Sequence, residues 1–377
     1  MINKIDELDA LLDVIDDMVP VQEIYNKEPI LDTPSDKEDL SVLAGRLEQW
    51  NKSCRDLFID MGSLGFRAEE EDMCLFFKEK EFYSKEIFFK RDPDNPKDPK
   101  LLHALKQFCT VLGVPLPFFL KNRPTLRANI VRTWQAGLAA EKSEKNQYIA
   151  RIRESDSMAM LRALVPVTYC SMSNYQLINI LKEQVPGIHL DYVSGDDRDD
   201  INLHVRCLFN EKFMLFGETP VRLGFSLLCS ELGGGPLVVE VLLHQIEGEL
   251  SFIASYGTDS FFSSKYKGMQ AQDIKDMFPR MIDRITNERA EMLTVVEKAY
   301  RPIDPEDEAL KICRWGGLPP GFKKTIFHEV SECEDDMRTT WDFARHIAMI
   351  AKGLDTTKRI KLEKVAGKYL NLVFPRS

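Results

Sequence analysis

The chain contains no run of about twenty consecutive apolar residues, the length a membrane-crossing helix requires. Its first stretch, MINKIDELDALLD, has neither the basic nor the apolar region of a secretory leader, so the expected location is the cytoplasm and no membrane partner is expected. Cysteines stand at 54, 74, 109, 170, 207, 229, 313 and 333, and no two are closer than twenty residues. That spacing excludes CxxC pairs, zinc knuckles and dithiol redox motifs, and leaves free thiols in a reducing compartment as the expectation. The six histidines, at 103, 189, 204, 244, 328 and 346, form no HxxxH or HExxH pair. No internal repeat and no low-complexity tract is present. Neither a metal nor a cofactor is implied.

What is present is an ordinary globular composition, 44% apolar and 29% charged over 377 residues, enough for two or three cooperating units. The net charge of −10 is unevenly placed. Residues 1–50 carry 13 acidic and 4 basic side chains, so the remainder is close to neutral. Within it, residues 101–170 hold ten Lys and Arg against four Asp and Glu, and residues 338–377 hold nine against three. An acidic arm therefore precedes a body with two basic stretches.

Ile2, Ile5, Leu8, Leu11, Leu12, Ile15 and Val19 recur at spacings of three and four, the pattern of an acidic amphipathic helix. Pro20 ends it, and residues 20–40 read as a tether. Residues 41–150 read as mainly helical, with β-like interruptions at Met73–Phe77 and Glu86–Lys90 and a proline-rich loop at 91–100. One helix is expected from Leu101 to about Val111 and another after Pro124. Residues 151–269 form the β-rich core, with runs such as INLHVRCLF and PLVVEVLLHQ separated by turn residues. A helix capped by Ser173 or Asn174 and ended by Pro186-Gly187 interrupts them. Residues 270–377 return to helix, with a break near Gly353. The fold class expected is α+β, a mostly antiparallel central sheet at about 160–265 flanked by N-terminal and C-terminal helical regions.

Four blocks, LGVPLPFFLKNRPTLRANIVRTWQAGL, RALVPVTYCSMSNYQLINIL, RLGFSLLCSELGGGPLVVEVLLHQ and TTWDFARHIAMIAKGLDTTKRIKLEKVAGKYL, resemble in order the successive blocks of the phage/plasmid-like family with a domain of unknown function. The resemblance spans about residues 100–370. Members carry Asn-Ser-Glu-hydrophobic-Gly where this chain has Cys229-Ser230-Glu231-Leu232-Gly233, and a Cys-x-Asn-Gly turn where it has Gln245-Ile246-Glu247-Gly248. The first is nearly kept and the second is lost. The resemblance implies a mobile-element gene product acting in a bacterial host cytoplasm, and supplies no catalytic residues.

Gly233-Gly-Gly-Pro236 precedes a β-type run rather than a helix, so it reads as a turn or bulge, not a phosphate cradle. The loop Gly316–Lys324 lacks GK[ST]. Asp196, Asp197, Asp199 and Asp200 read as a solvated turn, although clustered carboxylates also suit a hard cation. The basic stretches are more informative. Lys121, Arg123, Arg127, Arg132, Arg151, Arg153 and Arg162 are interleaved with Phe118, Phe119, Trp134 and Tyr148, the mixture that neutralises phosphates and stacks bases in single-strand binders. Arg127 and Trp134, seven apart, share a helix face. Lys265, Lys267 and the helix bearing Lys358, Arg359, Lys361, Lys364 and Lys368 extend the track, unless that helix simply packs. A solvated helix face with aromatics in the core is the plainer alternative for all of these.

The leading expectation is a non-enzymatic protein that binds single-stranded DNA or RNA in replication or recombination, an annealing-type homo-oligomer being one form of it. The acidic arm then lies on the basic patch and is displaced by nucleic acid. The alternatives are a factor docking on host or phage machinery through residues 1–19, and a virion or assembly component. No paired carboxylate, metal spacing or nucleophile pattern argues for an enzyme.

Overall fold

The computed structural model describes residues 40–372 except 69–72, 80–82, 90–102, 142–146, 155–158, 170–171, 186, 195–201, 255–261, 265–270, 315–317, 319–320 and 334–335. The acidic arm, the aspartate turn, Lys265 and Lys267 lie outside the described residues. The fold is α+β, but it is built on two six-membered sheets rather than the one expected.

The first sheet contains β1 (Cys54–Asp60), β2 (Leu64–Ala68), β3 (Met73–Phe77), β4 (Ile87–Phe89), β5 (Gln147–Glu154) and β6 (Ala159–Pro166), in the order β1-β5-β6-β4-β3-β2. It is mixed, because β4 runs parallel to β6 while its other pairings are antiparallel. Residues 54–89 supply four of its strands: β3 and β4 fall at the expected interruptions, whereas β1 and β2 lie in a stretch expected to be helical. Their apolar residues Phe66, Leu75, Ile87 and Phe89 face a closed core with Phe108 and Phe119. That core is roofed by α2 (His103–Leu112), α3 (Leu116–Lys121) and α4 (Pro124–Glu141). The alternation is short and each strand is buried by partners far along the chain, which local periodicity cannot register.

The second sheet is antiparallel throughout: β7 (Ile188–Ser194), β8 (Leu203–Leu215), β9 (Thr219–Cys229), β10 (Leu237–Gln245), β11 (Leu250–Ile253) and β12 (Phe262–Ser264), with β12 paired to β10 beside the path β11-β10-β9-β8-β7. One face, Leu203, Val205, Cys207, Leu223, Phe225, Leu227, Val239, Val241 and Phe252, forms the larger core. Against it pack α1 (Leu40–Asn51), α5 (Asn174–Gln184), α6 (Ala271–Ala299), α7 (Pro305–Arg314), α8 (Phe322–Cys333) and α9 (Thr340–Lys352). α10 (Thr356–Tyr369) covers part of the opposite face, where Ile360 meets Leu208, Leu242 and Ile253.

Local signals explain the helix boundaries. Ser173 and Gln176 form a capping box at the start of α5, and Thr339 and Asp342 form another for α9. α9 ends at Gly353. In α10, Gly367 lies against the sheet so closely that a Cβ there would sit 2.0 Å from the Ile253 carbonyl oxygen. No helix among the described residues is long and apolar enough to cross a membrane.

Candidate functional site: the basic residues and two buried charge clusters

The structure separates the basic residues that sequence grouped together. Carbonyls at the end of the short helix α3 lack intrahelical i+4 partners, and Arg127 of α4 donates to them: Nε to Phe119 O at 3.1 Å and Nη2 to Leu120 O at 2.7 Å. Arg127 is therefore buried, committed to holding α3 on α4, and unavailable to a phosphate. Trp134 shares its face as expected, but that face turns inward and the indole packs on the first core. Phe119 is fully buried, whereas its neighbour Phe118 is 54% exposed. Lys121, Arg123 and Arg132 are exposed, and no ion pair joins them to any described residue.

On β5 and β6, Ala150, Ile152, Leu161 and Leu164 point into the first core, so the alternate residues Arg151, Arg153 and Arg162 stand on the outer face. That face is not solvent. It meets the loop after β9, and Glu231, 5% exposed, receives the arginines. Arg162 Nη1 lies 2.7 Å from Glu231 Oε1, and Arg151 Nη1 donates to the Glu231 carbonyl while its Nη2 lies 3.4 Å from Asp56. The other Glu231 oxygen accepts from Asn174 N at 2.7 Å, at the start of α5, where the helix dipole favours an anion. Arg153 and Arg162 stack over Trp50 of α1, with guanidinium carbons 5.2 and 4.8 Å from the ring centroid.

Around this knot the Leu232 carbonyl accepts from Gln107 at 2.7 Å and lies 2.9 Å from His103 Nε2, and Tyr169 donates to Ser230 O. Gly233 completes the turn at φ +75°, its would-be Cβ 2.9 Å from Val165. The Cys229–Gly233 segment thus ties the two sheets together, and Gly233 forms a turn, as expected.

A second polar cluster lies under α10. Cross-strand pairing lines up Tyr192, Arg206, Ser226 and Glu240 in one row, and Arg222, His244 and Ser251 in another, beyond an intervening row of Leu208, Gly224, Leu242 and Ile253. Arg206 is fully buried and its Nη2 is paired with Glu363 of α10, while Arg359 donates to the other Glu363 oxygen at 3.0 Å. Burial alone would lower the Arg206 pKa, but the adjacent Glu363 carboxylate outweighs it and raises it. Lys364 pairs with Glu240 at 2.6 Å. The helix carrying Lys358–Lys368 is therefore packed through Arg359, Glu363 and Lys364, while Lys358, Lys361 and Lys368 stay exposed.

This cluster includes contacts in the order Ser, His, Asp: Ser251 Oγ is 3.1 Å from His244 Nδ1, and His244 Nε2 is 3.8 Å from Asp191. They do not form a nucleophilic triad. Ser251 faces the wrong ring nitrogen, the Asp191 separation exceeds a hydrogen bond, and Ser251 and His244 are buried. His204 is fully buried, its Nε2 hydrogen-bonded to Ser226 at 2.7 Å, while its Nδ1 has no partner among the described residues.

Away from both clusters, Glu329, Cys333 and His346 bring ligand-type atoms together across α8 and α9. Sequence spacing missed this group because its members come from two helices. The one local trace is the four-residue step from Glu329 to Cys333. A cleft of about 430 Å³ beside Phe58, Phe77, Lys78 and Val167 lies at the end of the first sheet. Comparison of the chain with protein-family models, with curated proteins and with solved structures gives no match.

Proposed function

We propose that the chain binds single-stranded DNA or RNA without catalysing a reaction, through the α3–α4 surface bearing Phe118, Lys121, Arg123 and Arg132, in the phage- or plasmid-borne setting that the four-block resemblance implies. The observation that carries this reading is one exposed aromatic ring set among three outward cations, in a stretch, residues 99–140, that contains no Asp or Glu. An unopposed positive surface attracts phosphates, and an exposed ring offers a stacking platform for any base. The surface is smaller than the sequence suggested, because Arg127, Arg151, Arg153 and Arg162 spend their donors or faces inside the fold.

The test is fluorescence anisotropy with labelled oligo(dT), oligo(U) and duplex probes at two salt concentrations. Three lost phosphate contacts should flatten the dependence of log K on log salt by about 2, at roughly 0.7 per contact on a single strand. The triple variant K121E/R123E/R132E should show that change, and Phe118→Ala should cost about 1–3 kcal/mol of affinity. Absence of single-strand binding by the wild-type chain at low salt refutes the function. Binding that the triple variant leaves unchanged refutes this surface.

A further inference from the structure

We propose that Glu329, Cys333 and His346 form a binding site for a divalent transition-metal ion of the zinc class. Glu329 and Cys333 are four residues apart on α8, so one turn of helix places them on one face. His346 comes from α9, whose start is fixed by the Thr339–Asp342 capping box about two turns earlier. The carboxylate oxygen, the thiol sulfur and the imidazole nitrogen all lie within 4.8 Å of one another. Zinc with bonds of about 2.0–2.3 Å in tetrahedral geometry spaces its ligands about 3.3–3.8 Å apart, so side-chain rotation alone closes the site.

Two independent features point to a ligand rather than to packing. The His346 Nδ1 atom is buried with no hydrogen-bond partner among the described residues. Such a nitrogen in a protein interior normally has one. The donor set of thiolate, imidazole and carboxylate also matches a borderline-soft ion and is wrong for magnesium or calcium, which require oxygen ligands throughout. All three side chains are half-buried, so an ion can enter, and three protein ligands leave a fourth position for water or for a nearby carboxylate. Asp336 is one such carboxylate, since its charge acts on both Cys333 and His346. Metal ligation would clamp α8 to α9 at the edge of the larger core.

The experiment uses the full-length, tag-free chain, stripped with chelator and titrated with Co²⁺ under reducing conditions, followed by Zn²⁺. The expected result is a 1:1 complex with a thiolate-to-cobalt charge-transfer band in the near ultraviolet, bleached by one equivalent of Zn²⁺. Cys333→Ser should abolish the band, and His346→Gln should weaken Co²⁺ binding at least tenfold. Cys54→Ser, at the other half-buried thiol among the described residues, should leave both intact. Because a variant can fail to fold, a second readout uses the wild-type chain: Zn²⁺ should slow alkylation of Cys333, measured on its peptide by mass spectrometry. No 1:1 complex at micromolar Co²⁺, a band that survives in Cys333→Ser, or alkylation indifferent to Zn²⁺ would overturn the site.

Discussion

Replacing Glu363 by Ala should be among the most damaging single changes in the chain. Glu363 is 1% exposed and accepts from two guanidinium groups, that of fully buried Arg206 and that of Arg359. Among the described residues Arg206 has no second anion in direct contact, and its Nε and Nη1 already lack partners. Truncating one member of a buried pair leaves an uncompensated charge and costs about 3–5 kcal/mol. At an m value of about 3 kcal/mol/M, this moves the urea midpoint down by about 1–2 M. Replacing both members with apolar residues of similar volume, Arg206→Met with Glu363→Leu, removes the desolvation penalty along with the attraction. The double variant should recover most or all of that loss. Equilibrium urea unfolding followed by circular dichroism decides the matter. A single-variant loss below about 1 kcal/mol, or a double variant no more stable than the single, would show that the pair is not the electrostatic hub its burial indicates.

Other consequences are equally direct. His204 is held neutral far below its usual pKa by burial, with Arg206, Arg359 and Lys364 adding repulsion. The unfolded chain takes up its proton near pH 6.5 and the folded chain does not. Stability is therefore full above pH 6.5 and falls as the pH drops below it, by up to about 1.4 kcal/mol per pH unit for this group. Urea midpoints from pH 7.5 to 5.5 should show a shallower fall in His204→Gln than in the wild type, and parallel profiles would contradict this. Gly367→Ala drives a Cβ into the Ile253 backbone, and should cost about 1–3 kcal/mol and loosen α10, read as faster amide exchange in Thr356–Tyr369. Glu231→Gln weakens the Arg162 pair and the anion at the start of α5 together, and a thermal shift no larger than that of an exposed control such as Glu247→Gln would refute its role as a junction.

The parts of this architecture that sequence revealed are those decided within a few residues. Met73–Phe77 reads as a strand, Ser173 caps α5, and Gly353 divides the last two helices as their spacing implied. CRDLFID and LGFRA were hidden because strands of five to seven residues are defined by the strands they pair with, which local alternation does not record. The same limit misassigned the arginines. In QYIARIRE the alternation says that Arg151 and Arg153 oppose Ala150 and Ile152, but not what lies over them. The loop at Glu231 that covers them is about eighty residues further on. Arg127 was misread for a different reason: its partners are carbonyls, which leave no mark in a charge pattern.

The pairing order of the first sheet also sets a timetable. β1 is an edge strand whose partner is β5, and the register joins Cys54 to Arg153. β4 likewise waits for β6. At synthesis rates of roughly 5–20 residues per second, about 5–20 s separate the emergence of β1 from that of β5. During that interval a strand carrying Phe58 is a nascent chain's unpaired edge, the kind of surface that recruits chaperones or neighbouring copies. The second sheet, whose strands β8 to β11 follow one another through short connections, meets no such delay. Assembly in the cell therefore begins with an early sheet held open by translation, and the Glu231 junction, whose partners Arg151, Arg162 and Asn174 all precede it, can form only once the loop after β9 has emerged.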